Sequence, residues 1–508
     1  MAQTSRTRQF ALNAAGNYLR FGVALLSVFF LTPIIISSVG KDDYGLWTLI
    51  NSALGILGLL DLGFGNGIIK YTAECKGSGD LAKRNKIIST LFVVYSMLSV
   101  FGTVIICIIA LYFTRIFDIP VSQTVKSNIL LWIVAGRSVI AYLPLSVFRG
   151  ILFGEQQIFQ INVVQIFSTI FNVFLVIVGL KLGYGIVFLA VANFLALILE
   201  HLVYIFLCHT NITEFELSIK LFDRKILWEV FSFSGYSFII SVSALILLRT
   251  DPLIVKMFMP LSAVSIYSIA LKIAENALLL IKQYVNILGP LVAELKGSGD
   301  EIKIRFILVN CAKFAFAPAA LMATASLLYS REGLSFWIGK GFEEGAGALN
   351  ILMLAMALSV PQMVASSVLG MTGEHKFTAA AALISIIVNV GFSIALAIPL
   401  QMNGVAWGTF IAVLIVDIIF VGYRASKIYK IPFISYNARI LLPGTISSLI
   451  FLILGYSMKY FYPPGSLLAI FLQLVPPSII FAMIFWYFFV EASEKELFAT
   501  KIFRLKKA

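Results

Sequence analysis

The sequence predicts an all-α polytopic membrane protein with fourteen transmembrane helices, arranged as two parallel six-helix bundles followed by two C-terminal helices. Three observations predict this fold class. The 508 residues are 60% hydrophobic and only 12% charged, whereas soluble proteins carry about 25% charged residues. Long apolar segments recur throughout the chain, and a sequence of eight residues is repeated in its second half.

The composition excludes a soluble globular protein, because so few charged residues cannot keep the surface of such a long chain hydrated. It also excludes intrinsic disorder, coiled coil and collagen. Lys and Arg outnumber Asp and Glu by 38 to 25, which gives a formal charge of +13. The positions of these charges decide between a nucleic-acid partner and a membrane topology signal.

The apolar segments are long enough to cross a bilayer, whose hydrocarbon core of about 30 Å requires about 20 residues of helix. They are continuous rather than alternating, which disfavours a membrane barrel of strands. The first is too long for the apolar part of a cleaved signal peptide. The predicted spans are residues 11–39, 44–69, 87–113, 127–148, 157–180, 184–208, 226–249, 260–292, 304–329, 346–370, 377–400, 403–423, 438–461 and 466–490.

The basic residues predict the orientation of these spans. Loops on the side of the N-terminus hold 24 Lys and Arg residues, and loops on the opposite side hold 8. Because Lys and Arg concentrate in cytoplasmic loops, both termini are predicted to be cytoplasmic. Most of the net charge therefore sets topology, and no nucleic-acid partner is expected.

A repeated sequence relates the two halves of the chain. AECKGSGD at residues 73–80 recurs as AELKGSGD at residues 293–300. Two shorter matches keep nearly the same offset, namely Gly154-Glu155 with Gly373-Glu374 and Gly185 with Gly404. Turn residues do recur by chance, but three matches at equivalent places in the hydropathy pattern favour a duplication.

The duplication predicts the domain organisation. We expect a six-helix bundle over residues 1–210, its repeat over 211–430, and two further helices with a basic cytoplasmic tail over 431–508. An even number of spans in each half makes the two halves parallel. This organisation is typical of alternating-access transporters, which bind substrate between the halves.

The eighth predicted span carries a polar stripe. Lys272, Glu275, Lys282, Gln283 and Asn286 fall within an arc of about 100° around a helix. Each charge at the bilayer centre costs about 2.5–3.5 kcal/mol, so we predict that this face lines a wet cavity. The alternative is a structural ion pair between Glu275 and Lys272, one helical turn apart.

The first two spans also contain polar residues. Asn13, Asn17 and Arg20 lie on one side of the first span, and Asp61 lies beside a glycine-rich face of the second. Arg20 is a candidate partner for Asp61, although its position near the cytoplasmic end also allows it to snorkel to the membrane surface. Exposure of Asp61 to a cavity remains open.

Six further charged residues lie inside spans or at their ends. Arg137 and Lys313 are isolated cations. Arg249 and Asp251 lie at the outer end of the seventh span, either as an exposed ion pair or as substrate contacts. Glu200 and Asp417 occupy near-equivalent places in the two halves, where they either bind H⁺ or Na⁺ for coupling or form salt bridges at helix ends.

The charges within the spans predict an anionic ligand. Five cations, Arg20, Arg137, Lys272, Lys282 and Lys313, stand against two carboxylates, Asp61 and Glu275. A positive cavity attracts anions strongly where water is limited. The scattered cysteines and histidines indicate neither a metal site nor a disulfide framework. No catalytic residue and no cofactor are predicted, apart from the coupling ion.

The start of the chain combines Asn13 and Asn17 in the first span with the sequence Tyr-Gly-Leu-Trp at 44–47 and Asp-Leu-Gly at 61–63. In these residues it resembles the Wzx-type polysaccharide flippases of the multidrug/oligosaccharidyl-lipid/polysaccharide exporter superfamily. It implies twelve or fourteen spans and translocation of undecaprenyl-pyrophosphate-linked oligosaccharide to the periplasmic leaflet of the bacterial cytoplasmic membrane, for O-antigen or capsule synthesis.

The resemblance also implies partners and roles. The lipid-linked glycan and membrane lipid are the expected ligands, and a polysaccharide polymerase and a chain-length regulator are the expected protein partners. Arg20, Lys272 and Lys282 are expected to hold the diphosphate or acidic sugars through charge-assisted hydrogen bonds.

Two other functions remain as alternatives. A cation-coupled multidrug antiporter of the same superfamily would require an acidic cavity, whereas the polar spans lean basic. A glycan polymerase or lipid-using glycosyltransferase usually carries a large periplasmic loop, whereas the longest outer loop here, about residues 330–345, is short. The sequence therefore favours a transporter over an enzyme.

Overall fold

A computed structural model of the chain describes residues 2–61, 64–137, 144–492 and 494–495. This part of the chain is almost entirely helical and contains no strand, which confirms the all-α prediction. The helices are α1 (Ala2–Gly55), α2 (Phe64–Ser78), α3 (Leu81–Ile116), α4 (Val121–Gly136), α5 (Ser146–Gly154), α6 (Ile158–Lys181), α7 (Gly185–Asn211), α8 (Arg224–Phe258), α9 (Leu261–Gly297), α10 (Glu301–Phe306), α11 (Ala312–Trp337), α12 (Ala346–Met371), α13 (His375–Ala412), α14 (Gly422–Ile428), α15 (Phe433–Phe461) and α16 (Leu467–Phe489).

Among the described residues, ten helical stretches are long and apolar enough to cross a membrane. Two of them, Ala15–Asp61 and His375–Ile428, are 47 and 54 residues long, about twice the length that one crossing requires. Each is interrupted by a residue with positive φ, Gly40 at 83° and Gln401 at 51°. These breaks fall between predicted spans, so each stretch accommodates two of them.

The total of fourteen spans remains a prediction. The fourth predicted span includes residues 138–143, which lie outside the described residues. The helices carry many exposed large apolar side chains along their lengths, among them Val100, Ile387 and Leu472. Apolar exposure on this scale requires a lipid surround. The chain is therefore a multi-pass membrane protein.

The chain divides into two compact units, Met1–Ser268 and Ile269–Ala508. In the first unit, α1 packs against α6 and α8, α6 packs against α7, and α2 packs against α3, α5 and α8. The core of this unit includes Leu91, Tyr95, Ile151 and Tyr204. The sequence repeat predicts a boundary between two six-helix bundles near residue 210, and that boundary remains a prediction.

The connection between α7 and α8 is fixed to the start of α3 in the first unit. The Arg84 guanidinium donates to the carbonyl of Thr213 at 2.6 Å and pairs with Glu155 at 3.3 Å. The Asn85 amide donates to the carbonyl of Glu214 at 2.7 Å. Arg84 is only 2% exposed, so these contacts satisfy a charge that burial would otherwise make unfavourable.

In the second unit, α11 is the central helix, since it packs against α12, α15 and α16. Its partners also pack in pairs, α12 with α13 and α15 with α16. Tyr329, Phe451, Phe481 and Phe485 form the core between α11 and the last two helices. The helices outside the sequence repeat are therefore packed into this unit.

The two copies of the repeated sequence adopt the same local structure. Gly79 and Gly299 both have φ of 74°, a conformation that favours glycine. The next residue in each copy, Asp80 or Asp300, caps the following helix. Its carboxylate accepts a hydrogen bond from the backbone N–H three residues later, at 2.9 Å for Asp80 and 3.1 Å for Asp300. The repeated residues thus build the same corner in both units.

Candidate functional site

A polar network in the first unit contains three residues that the sequence placed in or near the site. The Arg20 Nε on α1 donates to the Asn162 Oδ1 on α6 at 3.0 Å. The Asn162 Nδ2 in turn donates to the Asn17 Oδ1 at 2.9 Å. The Asn13 Oδ1, one turn earlier on α1, is buried without a hydrogen-bond partner among the described residues. These residues form an amide-rich environment around one guanidinium.

Glu200 belongs to a second polar group on α6 and α7. Its Oε1 accepts hydrogen bonds from the Tyr204 hydroxyl at 2.9 Å and from the Gln165 Nε2 at 3.3 Å. The neighbouring His201 ring contacts the carbonyl of Leu197 at 2.9 Å. Glu200 is thus held by neutral donors, an arrangement that keeps a carboxylate oriented.

Asp61 lies at the end of the short 3₁₀ turn Ile56–Asp61 that follows α1. Its Oδ1 accepts a hydrogen bond from the hydroxyl of Tyr95, a fully buried residue on α3. Residues 62–63, which complete the Asp-Leu-Gly motif, lie outside the described residues. The contact with Tyr95 places Asp61 against the core of the first unit.

The polar stripe on α9 lies on the side of the helix that its unit leaves unburied. Lys272, Lys282 and Asn286 are exposed, and Glu275 and Gln283 are partly exposed. Residues that pack inward, such as Ile281 and Val285, lie on the opposite side. The predicted clustering on one face agrees with this pattern, while its place in a cavity remains a prediction.

Arg249 and Asp251 differ in their surroundings although they are close in sequence. Arg249 is exposed and its side chain lies beside Gly55 of α1. Asp251 is 1% exposed and accepts a hydrogen bond from the Tyr267 hydroxyl at 2.6 Å. The carboxylate of Asp251 is therefore buried against Tyr267 and is not exposed at the end of the predicted span.

Lys313 forms a buried ion pair on α11. Its Nζ lies 2.8 Å from both carboxylate oxygens of Glu494 and donates to the carbonyl of Phe489 at 3.0 Å. The two side chains are 6% and 1% exposed. The charge of Lys313 is therefore balanced by an acid close to the C-terminus, which the tally of intramembrane charges did not include.

Arg137 and Asp417 are the remaining predicted residues. Arg137 is partly exposed and follows the end of α4. Asp417 is partly exposed and lies in a π-helical segment, Val413–Val421, between α13 and α14. Such segments are rare and are frequent at functional sites. No three His, Cys, Asp or Glu side chains cluster to hold a metal ion within the described residues.

Sequence reasoning missed the partners of several charged residues. Asn162, Tyr95, Tyr267 and Glu494 each contact a predicted residue, yet each lies between 16 and 181 positions from it. Helical periodicity relates residues only a few positions apart. For Asn162 the available signal in the sequence was a polar residue within an apolar span.

Solved structures with this fold are flippases and multidrug transporters. The lipid II flippase MurJ, in an inward closed conformation, matches 94% of this chain and 99% of its own, with a TM-score of 0.70 and 16% identity. A multidrug resistance transporter of the MATE family, in its inward-facing conformation, matches 79% of this chain and 98% of its own, with a TM-score of 0.67 and 17% identity. At such identities the likeness establishes the fold alone, so the chain is a helical membrane protein that shares its fold with these two transporters.

The sequence profile of the polysaccharide biosynthesis protein family matches residues 7–296, more than half of the chain. The chain therefore belongs to this family. A comparison with curated proteins gave no match. The family match and the fold agree with the predicted kind of protein, a membrane protein of polysaccharide biosynthesis whose fold is shared with a lipid II flippase.

Proposed function

We propose that the protein translocates an undecaprenyl-pyrophosphate-linked oligosaccharide from the cytoplasmic to the periplasmic leaflet of the bacterial cytoplasmic membrane by alternating access. Membership of the polysaccharide biosynthesis family carries this proposal. The fold, which matches a lipid II flippase over 94% of the chain, supports it. The transported glycan then serves O-antigen or capsule assembly, with a polymerase and a chain-length regulator acting on the product.

The unburied cations of α9 are the proposed ligands of the diphosphate. Lys272 and Lys282 are exposed on one side of the helix, together with the amide of Asn286. Ammonium groups bind phosphate oxygens through short, charge-assisted hydrogen bonds. Arg20, held by Asn162, is the proposed cation of the first unit. Lys313 is left out, because Glu494 balances its charge.

A proton or Na⁺ gradient is proposed to drive the transport cycle. Glu200 is a suitable carboxylate, because the hydrogen bonds that hold it come from neutral donors, Tyr204 and Gln165. Asp417 is the second candidate, because its π-helical segment interrupts regular helix geometry within a predicted span.

Transport is tested with purified protein in liposomes that contain a fluorescent undecaprenyl-pyrophosphate oligosaccharide. Lys272→Ala combined with Lys282→Ala should slow translocation by at least about tenfold, since each charge-assisted hydrogen bond contributes about 1.5–3 kcal/mol. Lys296→Ala is the matched control, since Lys296 is an exposed lysine in the last turn of the same helix. Equal rates for the double variant and the control would contradict the assignment of these lysines, and an inactive wild-type protein would contradict the function.

A cation-coupled multidrug antiporter is the second candidate, because MATE transporters share the fold. The same liposomes, loaded with ethidium and given a proton gradient, separate the two functions. We expect no ethidium efflux above empty liposomes. Efflux by the wild-type protein without oligosaccharide translocation would favour the antiporter.

A further inference from the structure

A basic pocket lies within the second unit, away from the polar stripe of α9. It has a volume of about 590 Å³ and is formed by α10, the π-helical segment Ile307–Cys311, the first turns of α11 and α15, the end of α16 and the residues that follow it. Its defining residues are Arg305, Phe306, Lys313, Arg439, Phe488 and Glu491. All these helix ends lie on the side that the distribution of Lys and Arg assigns to the cytoplasm.

The charge of the pocket comes from two exposed arginines, which outnumber the one carboxylate in its lining, Glu491. Arg305 donates only a long contact, 3.5 Å, to the carbonyl of Lys430, and Arg439 has no ion-pair partner among the described residues. The deeper cation, Lys313, is balanced by Glu494. Both guanidiniums are therefore available to an incoming anion, and a guanidinium matches the geometry of a phosphate through two parallel hydrogen bonds.

The same pocket is bordered by large apolar side chains that remain exposed. Ile302 is 83% exposed and Phe488 is 79% exposed, and Phe306 lies one helical turn from Ile302 on the same face of α10. Val309 and Pro443 form its buried apolar wall. A ligand that fits has an anionic group for the arginines and a hydrocarbon part for these side chains.

The geometry points to a binding site for the phosphate head group of an anionic phospholipid of the cytoplasmic leaflet. Basic pockets between transmembrane helices at this surface are suited to such head groups, and a volume of about 590 Å³ lies within the range of small-molecule sites. In this assignment Arg305 and Arg439 bind the phosphate while Phe306 and Phe488 contact the acyl chains. The site includes α15 and α16, which lie outside the sequence repeat, and it is separate from the proposed diphosphate ligands on α9.

Native mass spectrometry of the full-length protein in neutral detergent tests the site. A mixture of phosphatidylglycerol and phosphatidylcholine is offered, and the ratio of the two in the first bound lipid is measured. Wild-type protein should prefer phosphatidylglycerol by about 25-fold, since each of the two arginines near an anionic lipid contributes about a fivefold preference. Arg305→Gln with Arg439→Gln should remove this preference. Arg331→Gln should keep the preference, because Arg331 is an exposed arginine at the other end of α11.

The controls separate the phospholipid from other sources of phosphate. Unchanged preference in the double variant, or equal loss in Arg331→Gln, would overturn the proposal. Displacement of phosphatidylglycerol by inorganic phosphate at millimolar concentration, or by equimolar undecaprenyl phosphate, would assign the site to a soluble anion or to the transported lipid instead. Arg305→Lys with Arg439→Lys, which keeps both charges, should keep most of the preference. If the glutamine variant does not fold, loss of preference in the lysine variant would overturn the proposal.

Discussion

The buried pair of Lys313 and Glu494 gives a quantitative prediction about the second unit. The ammonium group has three hydrogen-bond donors, and three acceptors surround it: both oxygens of Glu494 at 2.8 Å and the carbonyl of Phe489 at 3.0 Å. The Glu494 carboxylate also accepts the backbone N–H of Glu491 at 2.7 Å. Glu494→Ala removes two of the three acceptors and leaves the cation buried and uncompensated.

The expected loss of stability is large. Breaking a buried ion pair from one side costs about 3–5 kcal/mol. In a unit of this size, 1 kcal/mol corresponds to about 2–4 °C in the unfolding midpoint, so Glu494→Ala should lower it by about 6–20 °C. The measurement is thermal unfolding of the purified protein in detergent, followed by the loss of monodisperse protein in size-exclusion chromatography.

Two further variants identify the cause of the loss. Lys313→Met with Glu494→Leu should recover most of the stability, because replacing both members of a buried pair with apolar residues is often neutral. Lys303→Ala breaks an exposed pair with Asp300 and should change the midpoint little, since water and salt screen such pairs. If Glu494→Ala unfolds within 2 °C of wild type, or if the double variant is no more stable than the single one, the reasoning is wrong.

Two other predictions concern the first unit. Gly154→Ala should destabilise the protein by about 1–3 kcal/mol, because the new Cβ would lie 2.6 Å from the Cβ of Thr72 on α2 and force the helices apart. Thermal unfolding measures this loss of stability. Gly77→Ala is the control, because Gly77 is exposed and has open space around it. Arg84→Gln should release the connection between α7 and α8, because it removes the donor to the carbonyl of Thr213; limited proteolysis should then cut this connection faster, and an unchanged cleavage rate would contradict the role of Arg84.

The spans were predictable because a membrane crossing imposes a length and a composition that are local in sequence. The breaks at Gly40 and Gln401 were predicted as well, because both residues fall between predicted spans and both interrupt their helical stretches with a positive φ. The sequence did not show how short these breaks are, because a one-residue break leaves almost no loop composition to recognise.

The candidate site divides in the same way. Helical periodicity placed Lys272, Lys282 and Asn286 on one face of α9, and the structure leaves that face unburied. Partners across helices were not predictable, because Arg20 donates to Asn162 and Asp61 accepts from Tyr95 at large sequence separations. The resemblance to flippases suggested Arg20 as a substrate ligand, but only packing shows that an amide holds it.

By itself the sequence determined the fold class, the membrane environment and the repeated corner, since apolar length, charge distribution and glycine positions each act through local physics. The tertiary structure decided which charges are balanced. The sequence counted both Lys313 and Lys282 as cations within apolar spans, although Lys282 belongs to a polar stripe and Lys313 is isolated. Only the folding of the chain after α16 brings Glu494 to Lys313. Among the described residues, no Asp or Glu lies within salt-bridge distance of Lys282.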